Sequence, residues 1–460
     1  MANRTIGVSR QAAFAAAVGQ EAEALATALA AWMAEAPRSL AEIEARAMNL
    51  SRAVGRTALQ GAVALEEPKY AESVVPCECG GRAEYQRHRR ARYLTLLGCI
   101  DVRRAYYLCR RCHRGTVPLD RKLGLCAGSI SDGLDQVLAL MGVYGAFDEA
   151  AKIIERLIGV AVCGNRVRAS TEGLGAAIDA RDQAEVDAAW DVHLPPPPAP
   201  PREMAPERLY ISMDGTMTNI RGEGWKEVRL GAVYTTTTAP PTEPGQEPVV
   251  RATQATYYAD LTDPDRFGQH LWLEAHRRGL THAHEVIAIG DGAAWIWKTA
   301  DTHFPGALQI VDWYHASGYL SSAANDAFGE GTDRARQWVE TWKHRLWNGR
   351  VDRVIVALRP LARTSDKARE AMTYFANNRH RMRYPDYRAR GIQIGSGPIE
   401  GACKHVVGQR LKQAGMRWTR PAAIQVLKAR TALLSGRWDE VIALRPVPAR
   451  SYRRAHDIAA

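Results

Sequence analysis

The first 70 residues carry apolar positions at helical spacing, separated mainly by alanine, glutamate and arginine. Phe14, Val18, Leu25, Leu29 and Trp32 lie three, four or seven residues apart, which places them on one face of an amphipathic helix. The N-terminal segment weakly resembles a signal peptide. We do not predict one, because the apolar part is mostly alanine and two glutamates follow directly. Residues 1–70 are therefore predicted to be a helical region.

The pattern changes three times before residue 207. Residues 71–120 contain short β-like runs with cysteines at both ends, which predicts a small β module. Residues 121–193 return to helical spacing with short turns. Residues 194–206 are rich in proline, which predicts a stiff polyproline II linker and a domain boundary.

After the linker, the apolar runs predict elements in the order β-β-β-α-β-α-β. The predicted strands are Leu209–Met213, Val228–Thr236, Thr253–Leu261, Val286–Ile289 and Leu308–Val311, and the predicted helices are Pro264–Arg278 and Ala293–His303. Residues 316–390 have a helical pattern throughout. The turn Gly395-Ser-Gly-Pro398 then opens another helix, because proline is favoured in a first helical turn.

The net charge, the lack of long apolar runs and the cysteine content indicate which partners and which compartment to expect. The 460 residues carry a formal net charge of +11, with a sequence pI near 9.3, which favours nucleic acid as the partner, although a generally basic proteome would give the same surplus. No run of 18 apolar residues occurs, so we expect no transmembrane helix and no membrane partner. We expect a cytoplasmic protein, whose 8 cysteines are thiols or metal ligands rather than disulfides.

Four of the cysteines have the spacing of a zinc ribbon. Cys77 and Cys79 form one pair, and Cys109 and Cys112 form the other, so four thiolates could surround a tetrahedral, structural Zn²⁺. The first pair is one residue closer than usual. Cys99, His88 or His113 could therefore replace one ligand, and unrelated free cysteines remain the alternative. Between residues 82 and 114, ten arginines stand against two acids, Glu84 and Asp101, and predict contacts with phosphates: Arg82, Arg87, Arg89, Arg90, Arg92, Arg103, Arg104, Arg110, Arg111 and Arg114.

Three carboxylates occupy positions typical of a metal-dependent site. Asp214 and Asp291 follow buried strands and precede glycines, and Glu400 lies in the first turn of a late helix. Carboxylate oxygens arranged in this way bind Mg²⁺. Each residue alone has an ordinary explanation, because Asp-Gly is common in turns and glutamate is favoured at helix starts. The combination on this background of elements is much more specific.

These features resemble a known family. The element order and the three acids resemble the ribonuclease H-like core of DDE transposases. The strings Ser212-Met-Asp-Gly-Thr216, Gly290-Asp-Gly-Ala-Ala-Trp-Ile-Trp297 and Gly395-Ser-Gly-Pro-Ile-Glu-Gly401 resemble the ISKra family of bacterial insertion-sequence transposases, as do Lys226-Glu-Val-Arg-Leu-Gly231 and Val311-Asp-Trp-Tyr-His315. The resemblance extends from about Cys77 to about Trp438. The shortened Cys77/Cys79 spacing is the clearest departure from it.

The resemblance implies a multidomain α+β fold and a chemistry. N-terminal helices and the zinc ribbon would precede a helical segment, then a ribonuclease H-like α/β catalytic core at 207–315 and 391–440, interrupted by a helical insertion at 316–390. Asp214, Asp291 and Glu400 would be the catalytic acids and hold two Mg²⁺ ions, with Mn²⁺ tolerated, for cleavage and strand transfer at element ends. Double-stranded DNA would be the partner, bound by a homo-oligomer. A nuclease or resolvase without strand transfer, and a DNA-binding regulator with an inactive core, are the alternatives.

Asp312 and His315 form a D-x-x-H group after the fifth strand of this core. Similar transposases carry a comparable pair, which implies a role in positioning the DNA strand or orienting a carboxylate. A structural histidine that caps the next helix is an equal alternative.

Two segments are expected to contact DNA. Residues 132–145, 147–158 and 165–175 predict three short helices of a helix-turn-helix type, in which Arg166 and Arg168 face a groove; an ordinary helical connector is the alternative. The stretch after Glu400 is basic, and 441–460 forms a basic tail. Contacts with the scissile strand are expected from Lys404, Arg410, Lys412, Arg417 and Trp418. A solvated charged face is the alternative for this stretch.

Overall fold

The computed structural model describes nearly the whole chain, in four stretches: residues 2–66, 73–124, 130–240 and 249–444. Contacts divide the chain into two compact units, one ending at Thr171 and the other running from Glu172 to Leu444. The boundary therefore lies inside a helix and not at the proline-rich residues 194–206. The predicted basic tail lies outside the described residues from 445 onward.

The first unit begins with two long helices and an antiparallel sheet. The helices are α1 (Ala2–Glu35) and α2 (Leu40–Glu66). The sheet has the order β1-β2-β3-β4, with the strands β1 (Val74–Pro76), β2 (Arg82–Thr95), β3 (Gly98–Cys109) and β4 (Gly115–Thr116). One face of the β2–β3 hairpin is apolar, because alternate residues of β3 such as Val102 and Leu108 pack with Leu59 and Val63 of α2. The predicted β-like runs are confirmed as longer strands.

Helices complete this unit. They are α3 (Pro118–Lys122), α4 (Asp132–Tyr144), α5 (Phe147–Ile158) and the first part of α6 (Gly164–Trp190). Ser131 caps α4 by accepting a hydrogen bond from Leu134 N, and Gly159 ends α5 in the left-handed conformation. The third predicted helix, 165–175, is too short, because α6 continues for 27 residues.

The second unit contains a five-stranded sheet in the order β7-β6-β5-β8-β9. Its strands are β5 (Arg208–Ile220), β6 (Gly224–Ala239), β7 (Val249–Asp260), β8 (Glu285–Gly290) and β9 (Leu308–Val311). The first three strands are antiparallel, whereas β8 pairs parallel with β5 and β9 pairs parallel with β8. The predicted order β-β-β-α-β-α-β is thus observed.

Helices of this unit follow the strands. Those between the later strands are α7 (Pro264–Arg277) and α8 (Ala294–His303). After β9 come α9 (Trp313–Phe328), α10 (Asp333–Trp347), α11 (Val351–Leu361), α12 (Asp366–Asn378) and α13 (Tyr384–Ala389). The last group comprises α14 (Gly397–Ala402), a π-helical turn (Cys403–Gly408), α15 (Gln409–Leu411), α16 (Arg420–Leu434) and α17 (Trp438–Ile442). The helical pattern of 316–390 is confirmed as a series of separate helices.

The C-terminal half of α6 packs in the second unit through polar contacts. Arg266 of α7 donates a hydrogen bond to Gln183 at 3.0 Å and forms a 2.6 Å ion pair with Asp187. The same part of α6 buries the apolar side chains of Ile178 and Val186, so α6 continues past its predicted end through apolar as well as polar contacts. Within the described part of the chain, every helix is too short or too polar to cross a bilayer.

Candidate functional site

Three aspartates lie at one edge of the five-stranded sheet. The parallel pairing of β5 with β8 ends at Ser212 and Ile289, two residues before Asp214 and Asp291 respectively. Asp312 directly follows β9. Because parallel strands end at a common edge, the topology brings the three carboxylates to the same region. The expectation that Asp214 ends its strand is corrected, since β5 continues to Ile220 by pairing with β6.

The turn before Glu400 is bound to the end of β9. Asp312 Oδ2 accepts a hydrogen bond from Ser396 N, and Trp313 N donates to Ile394 O at 3.0 Å. Ser396 Oγ in turn donates to Glu400 Oε1 at 2.8 Å. Glu400 lies in the first turn of α14, as predicted, and its carboxylate is oriented through Ser396.

Asp312, His315 and Glu400 offer side-chain atoms within 4.8 Å of one another. Asp312 is fully buried and caps α9, accepting from His315 N at 2.6 Å and contacting His315 Nδ1 at 3.2 Å. Burial alone would raise the pKa of Asp312, but hydrogen bonds from His315 and Ser396 lower it. The hydrogen bond to Asp312 raises the pKa of His315. The helix-capping role is therefore observed for Asp312, and its contacts reach both His315 and the turn that carries Glu400.

Asp214 is half-buried beside a thiol. Its Oδ1 accepts from Gly215 N at 2.7 Å, and its Oδ2 accepts from Cys403 Sγ at 3.3 Å. Burial raises the pKa of Asp214, and the negative charge of Asp291 adds to this effect. Asp214 thus lies within electrostatic reach of Asp291, where a cation would reverse the shift.

Asp291 is held by hydrogen bonds from a nearby backbone N–H and from the side chain of Tyr374. Its Oδ1 accepts from Ala293 N at 2.8 Å, and its carbonyl oxygen accepts from Tyr374 Oη at 2.7 Å. Gly292 has φ +107°, and a Cβ there would lie 2.4 Å from a ring carbon of Tyr374. A glycine is therefore required directly after Asp291, for both backbone conformation and space.

A cleft of about 810 Å³ opens onto Asp214, His315 and Glu400. Helices of the 316–390 segment contribute to its lining, as do residues that follow Glu400. Its lining residues with basic side chains, apart from His315, are Lys367, Lys404 and Lys412. Lys412 Nζ donates to Thr216 Oγ1 at 2.5 Å and so holds the segment after Glu400 to β5. The cleft therefore combines acids suited to a cation with lysines suited to an anion.

Glu400 shares a group of potential metal ligands with Asp312 and His315, whereas among the described residues Asp214 and Asp291 belong to no group whose ligand atoms all lie within 4.8 Å of one another. Asp214, Asp291 and Glu400 form no ion pair with any residue that the structure describes. Glu400 Oε2 and Asp291 Oδ2 likewise accept no hydrogen bond from the described residues. Half-buried carboxylates without a protein cation are oxygen donors of the kind that Mg²⁺ or Mn²⁺ binds. His315 adds a nitrogen donor beside Asp312 and Glu400.

The basic segment after Glu400 is only partly exposed. Lys404, Lys412 and Arg417 are exposed, although Arg417 does not line the cleft. Arg410 is fully buried, with its guanidinium carbon 4.8 Å from the centre of the Trp418 ring. Burial lowers the pKa of Arg410 to about 10.

Trp418 is also buried, and its Nε1 donates to Leu411 O at 3.1 Å. The expectation that Arg410 and Trp418 contact DNA is therefore wrong, because the two buried side chains pack against each other and neither lines the cleft. The side chains stabilise the segment that carries Lys404 and Lys412.

In the first unit, the four cysteines converge. The Sγ atoms of Cys77 and Cys112, and of Cys77 and Cys79, lie 3.6 Å apart, and those of Cys79 and Cys109 lie 3.7 Å apart. A tetrahedral zinc site with Zn–S bonds of about 2.3 Å requires sulfur separations of about 3.8 Å. The close spacing of the first pair is thus no obstacle, because Gly80 turns the chain in the left-handed region. His88, Cys99 and His113 are not among the four residues of this cluster.

The surroundings shift the pKa values of Cys109 and Cys77 in opposite directions. Hydrogen bonds from the backbone of Cys112 and Arg111 lower the pKa of Cys109 to about 7. For Cys77, a backbone hydrogen bond from Cys79 is outweighed by burial and by the neighbouring sulfurs, which raise its pKa to about 12. Four sulfurs this close cannot all ionise without a cation between them, so the donor set fits Zn²⁺.

The arginines of the β2–β3 hairpin divide between two faces. Arg90 pairs with Arg103 across the strands, Arg92 pairs with Asp101, and all four are exposed. Arg104 instead lies on the opposite, buried face in a 2.5 Å ion pair with Asp120. The expectation that the whole arginine set contacts phosphates is therefore corrected for Arg104.

The helices α4, α5 and α6 place their two predicted arginines differently. Arg168 is exposed on the first turns of α6, and Arg166 is half-buried. The turn between α5 and α6 covers residues 159–163. A protruding arginine near a helix start is compatible with groove contact, and the contact with DNA stays a prediction.

Sequence reasoning missed Ser396, Cys403 and Lys367 at the cleft. Ser396 lies within the Gly-Ser-Gly-Pro turn, and Cys403 lies one helical turn after Glu400, so their positions relative to that acid were available signals. The sequence offers no such signal for Lys367, because only the fold of the helical segment brings this residue to the cleft.

The comparisons with known proteins give one family. A model described as an uncharacterised protein family, UPF0236, matches residues 34–442. A comparison with curated proteins finds no match.

Proposed function

Because this chain belongs to the uncharacterised protein family UPF0236, its activity must be argued from its own residues, and we propose that it is a DDE transposase. The observation that carries the proposal is the acid set. Asp214 lies within β5, Asp291 directly follows β8, and Glu400 lies in the first turn of α14; none of them forms an ion pair with a described residue. We assign these three as the catalytic acids.

The fold of the second unit supports the same assignment. Two strands lie parallel to β5 and carry Asp291 and Asp312 at their ends, while the helices α9–α13 separate them from Glu400. A ribonuclease H-like core with a helical insertion before its last acid is the arrangement that the resemblance implies. We infer that 207–315 with 391–440 is such a core, and that the zinc-binding module is a ribbon held by Cys77, Cys79, Cys109 and Cys112.

The residues of the chain have separable tasks in this reaction. Two Mg²⁺ ions held by Asp214, Asp291 and Glu400 would supply charge neutralisation for an in-line phosphoryl displacement. Ser396 orients Glu400, and Asp312 holds Ser396 at the end of β9. Lys404 and Lys412 at the cleft would bind phosphates of the scissile strand. His315, beside Asp312 and Glu400, would position that strand or a carboxylate.

Double-stranded DNA is the proposed partner, and the exposed face of the β2–β3 hairpin supports this choice. Arg90, Arg92 and Arg103 place positive charge on a two-stranded ribbon, and a ribbon of this width enters a major groove. Asp101 is the acid that pairs with Arg92 there, at 3.3 Å. We further propose a homo-oligomer on the DNA and a cytoplasmic location.

A strand-transfer assay tests the proposal against its two rivals. The full chain would be incubated with Mg²⁺, a labelled duplex bearing an end of the DNA element that encodes it, and a supercoiled target plasmid. Labelled DNA joined covalently to the plasmid supports a transposase. Cleavage without joining indicates a nuclease or resolvase, and binding without cleavage indicates a regulator; either result overturns the proposal.

A further inference from the structure

A second cleft, of about 600 Å³, lies beside Asp291. Gly292, the residue after this acid, is part of its lining, and Tyr319 and Glu370 line both this cleft and the one that contains Asp214 and Glu400. The two clefts therefore meet at a ridge formed by these side chains. Glu370 on that ridge is neutralised by Lys367, whose Nζ donates to it at 2.9 Å.

Trp297 of α8 lines this second cleft with an unused donor. It is 5% exposed, and its Nε1 is buried without a hydrogen-bond partner among the residues that the structure describes. An indole N–H that lost its water without gaining an acceptor costs stability. Such a group is rare in folded proteins and requires an explanation, such as an acceptor supplied by a ligand.

Arg381 lies directly against this indole. Its guanidinium carbon is 4.5 Å from the centre of the Trp297 ring, its Nε donates to Gln309 Oε1 at 2.7 Å, and its Nη1 donates to Asn378 Oδ1 at 3.3 Å. Both partners are neutral amides, and Arg381 forms no ion pair within the described part of the chain. The guanidinium is thus held by neutral amides, and the acid that acts on it, Asp301, does so without a direct ion pair.

We propose that this second cleft is a phosphate-binding subsite, which holds the DNA strand where it continues past Asp291. The inference rests on the proposed function and extends it. A phosphate oxygen would accept hydrogen bonds from Trp297 Nε1 and from Arg381, and the exposed side chain of Asn377 would add a neutral donor at the rim. A guanidinium and an N–H that converge on one oxyanion form a charge-assisted site.

Neutral phosphate analogues test the subsite directly. The probe is an element-end duplex that extends into flanking DNA, with single methylphosphonates placed in turn on either side of the scissile bond. Binding of the full chain is measured by fluorescence anisotropy in Ca²⁺, which suppresses turnover. We expect a methylphosphonate at one or two adjacent positions to weaken binding about tenfold.

Two variants test whether the phosphate at the sensitive methylphosphonate position binds in this cleft. Trp297→Phe keeps an aromatic ring but removes the donor, and Arg381→Gln removes the charge; each should weaken binding about tenfold and lose sensitivity to the methylphosphonate. Trp295→Phe is the control, because this tryptophan lies on the same helix against Phe267 and does not line the cleft. Circular dichroism verifies that each variant folds.

The outcomes separate the subsite from the proposed function. If both variants bind like the wild type and remain sensitive to every methylphosphonate, the subsite is overturned, although wild-type cleavage in Mg²⁺ would still support the enzyme. If only free inorganic phosphate protects Trp297 from oxidation by N-bromosuccinimide and the duplex does not, the cleft binds a small anion and the proposal fails. If the wild type neither binds nor cleaves the duplex, both fail.

Discussion

Replacing Cys112 by serine should release the proposed zinc ion and unfold the two loops that contain the four cysteines. Cys112 Sγ lies 3.6 Å from Cys77 Sγ, and its backbone N–H stabilises the Cys109 thiolate. A serine oxygen is a poor zinc ligand, so three thiolates would remain in a site built for four. Cys99→Ser is the matched control, because Cys99 is exposed on β3 and lies outside the cluster.

The loops that contain the cysteines should unfold without zinc, because few apolar contacts stabilise them. The apolar cluster beside them has three buried members, Ala83, Tyr107 and Cys109. Burying a side chain such as Tyr107 contributes about 1.5–3 kcal/mol, whereas ordering roughly ten loop residues costs about 10–20 kcal/mol. Structural zinc contributes about 10–16 kcal/mol in small modules. Loss of the ion therefore leaves the loops unfolded.

The rest of the hairpin should survive, because β3 packs on α2 through its other face. Trypsin digestion of the full chain separates the two parts, since Arg110, Arg111 and Arg114 are exposed within the second loop. We expect Cys112→Ser to be cut there at least tenfold faster than the wild type, and to contain less than about a tenth of its zinc. Wild-type protease resistance in metal-free protein would refute the reasoning.

Further predictions concern the second unit. Lys428→Met should cost about 3–5 kcal/mol in urea unfolding, because it leaves Asp260 buried without its cation; the double variant with Asp260→Asn should recover part of this loss. Burial alone would raise the pKa of Asp260 but Lys428 lowers it, so this stabilisation is present above the unfolded pKa and should be lost as pH falls through the folded one. Neutralising Lys404 and Lys412 should reduce the salt dependence of duplex binding by about 0.9 per lost contact, whereas Arg410→Met should leave the slope unchanged and affect stability instead.

The strands of the core were predictable because their apolar runs are short and bounded by turn residues. The full length of β5 was not predictable from its own sequence. β5 continues past Asp214 because its antiparallel partner β6 extends further than its parallel partner β8. A single strand's pattern holds no information about the length of its neighbours. The sequence therefore identifies Asp214 as a candidate acid but does not predict that it lies within β5.

Polar residues produced the main errors. Arg410 looked solvent-exposed because it lies among other basic residues, yet it is buried beside Trp418. The predicted end of α6 is too early because the buried apolar residues of its second half, Ile178 and Val186, stand eight residues apart, and ion pairs such as that between Asp187 and Arg266 also hold this half. Both cases depend on partners distant in sequence, which hydrophobic periodicity cannot reveal.

The most direct test of the central claim is cleavage of an element-end duplex by the wild type and by Asp214→Asn, Asp291→Asn and Glu400→Gln, in Mg²⁺ and in Mn²⁺. Each substitution replaces one carboxylate oxygen by an amide nitrogen and leaves the exposed lysines and arginines in place. We predict that the wild type cuts with either ion, that all three variants lose at least about a thousandfold in rate, and that all bind the duplex like the wild type. Near-normal cleavage by any variant would remove that acid from the catalytic set, and cleavage by all three would contradict the account.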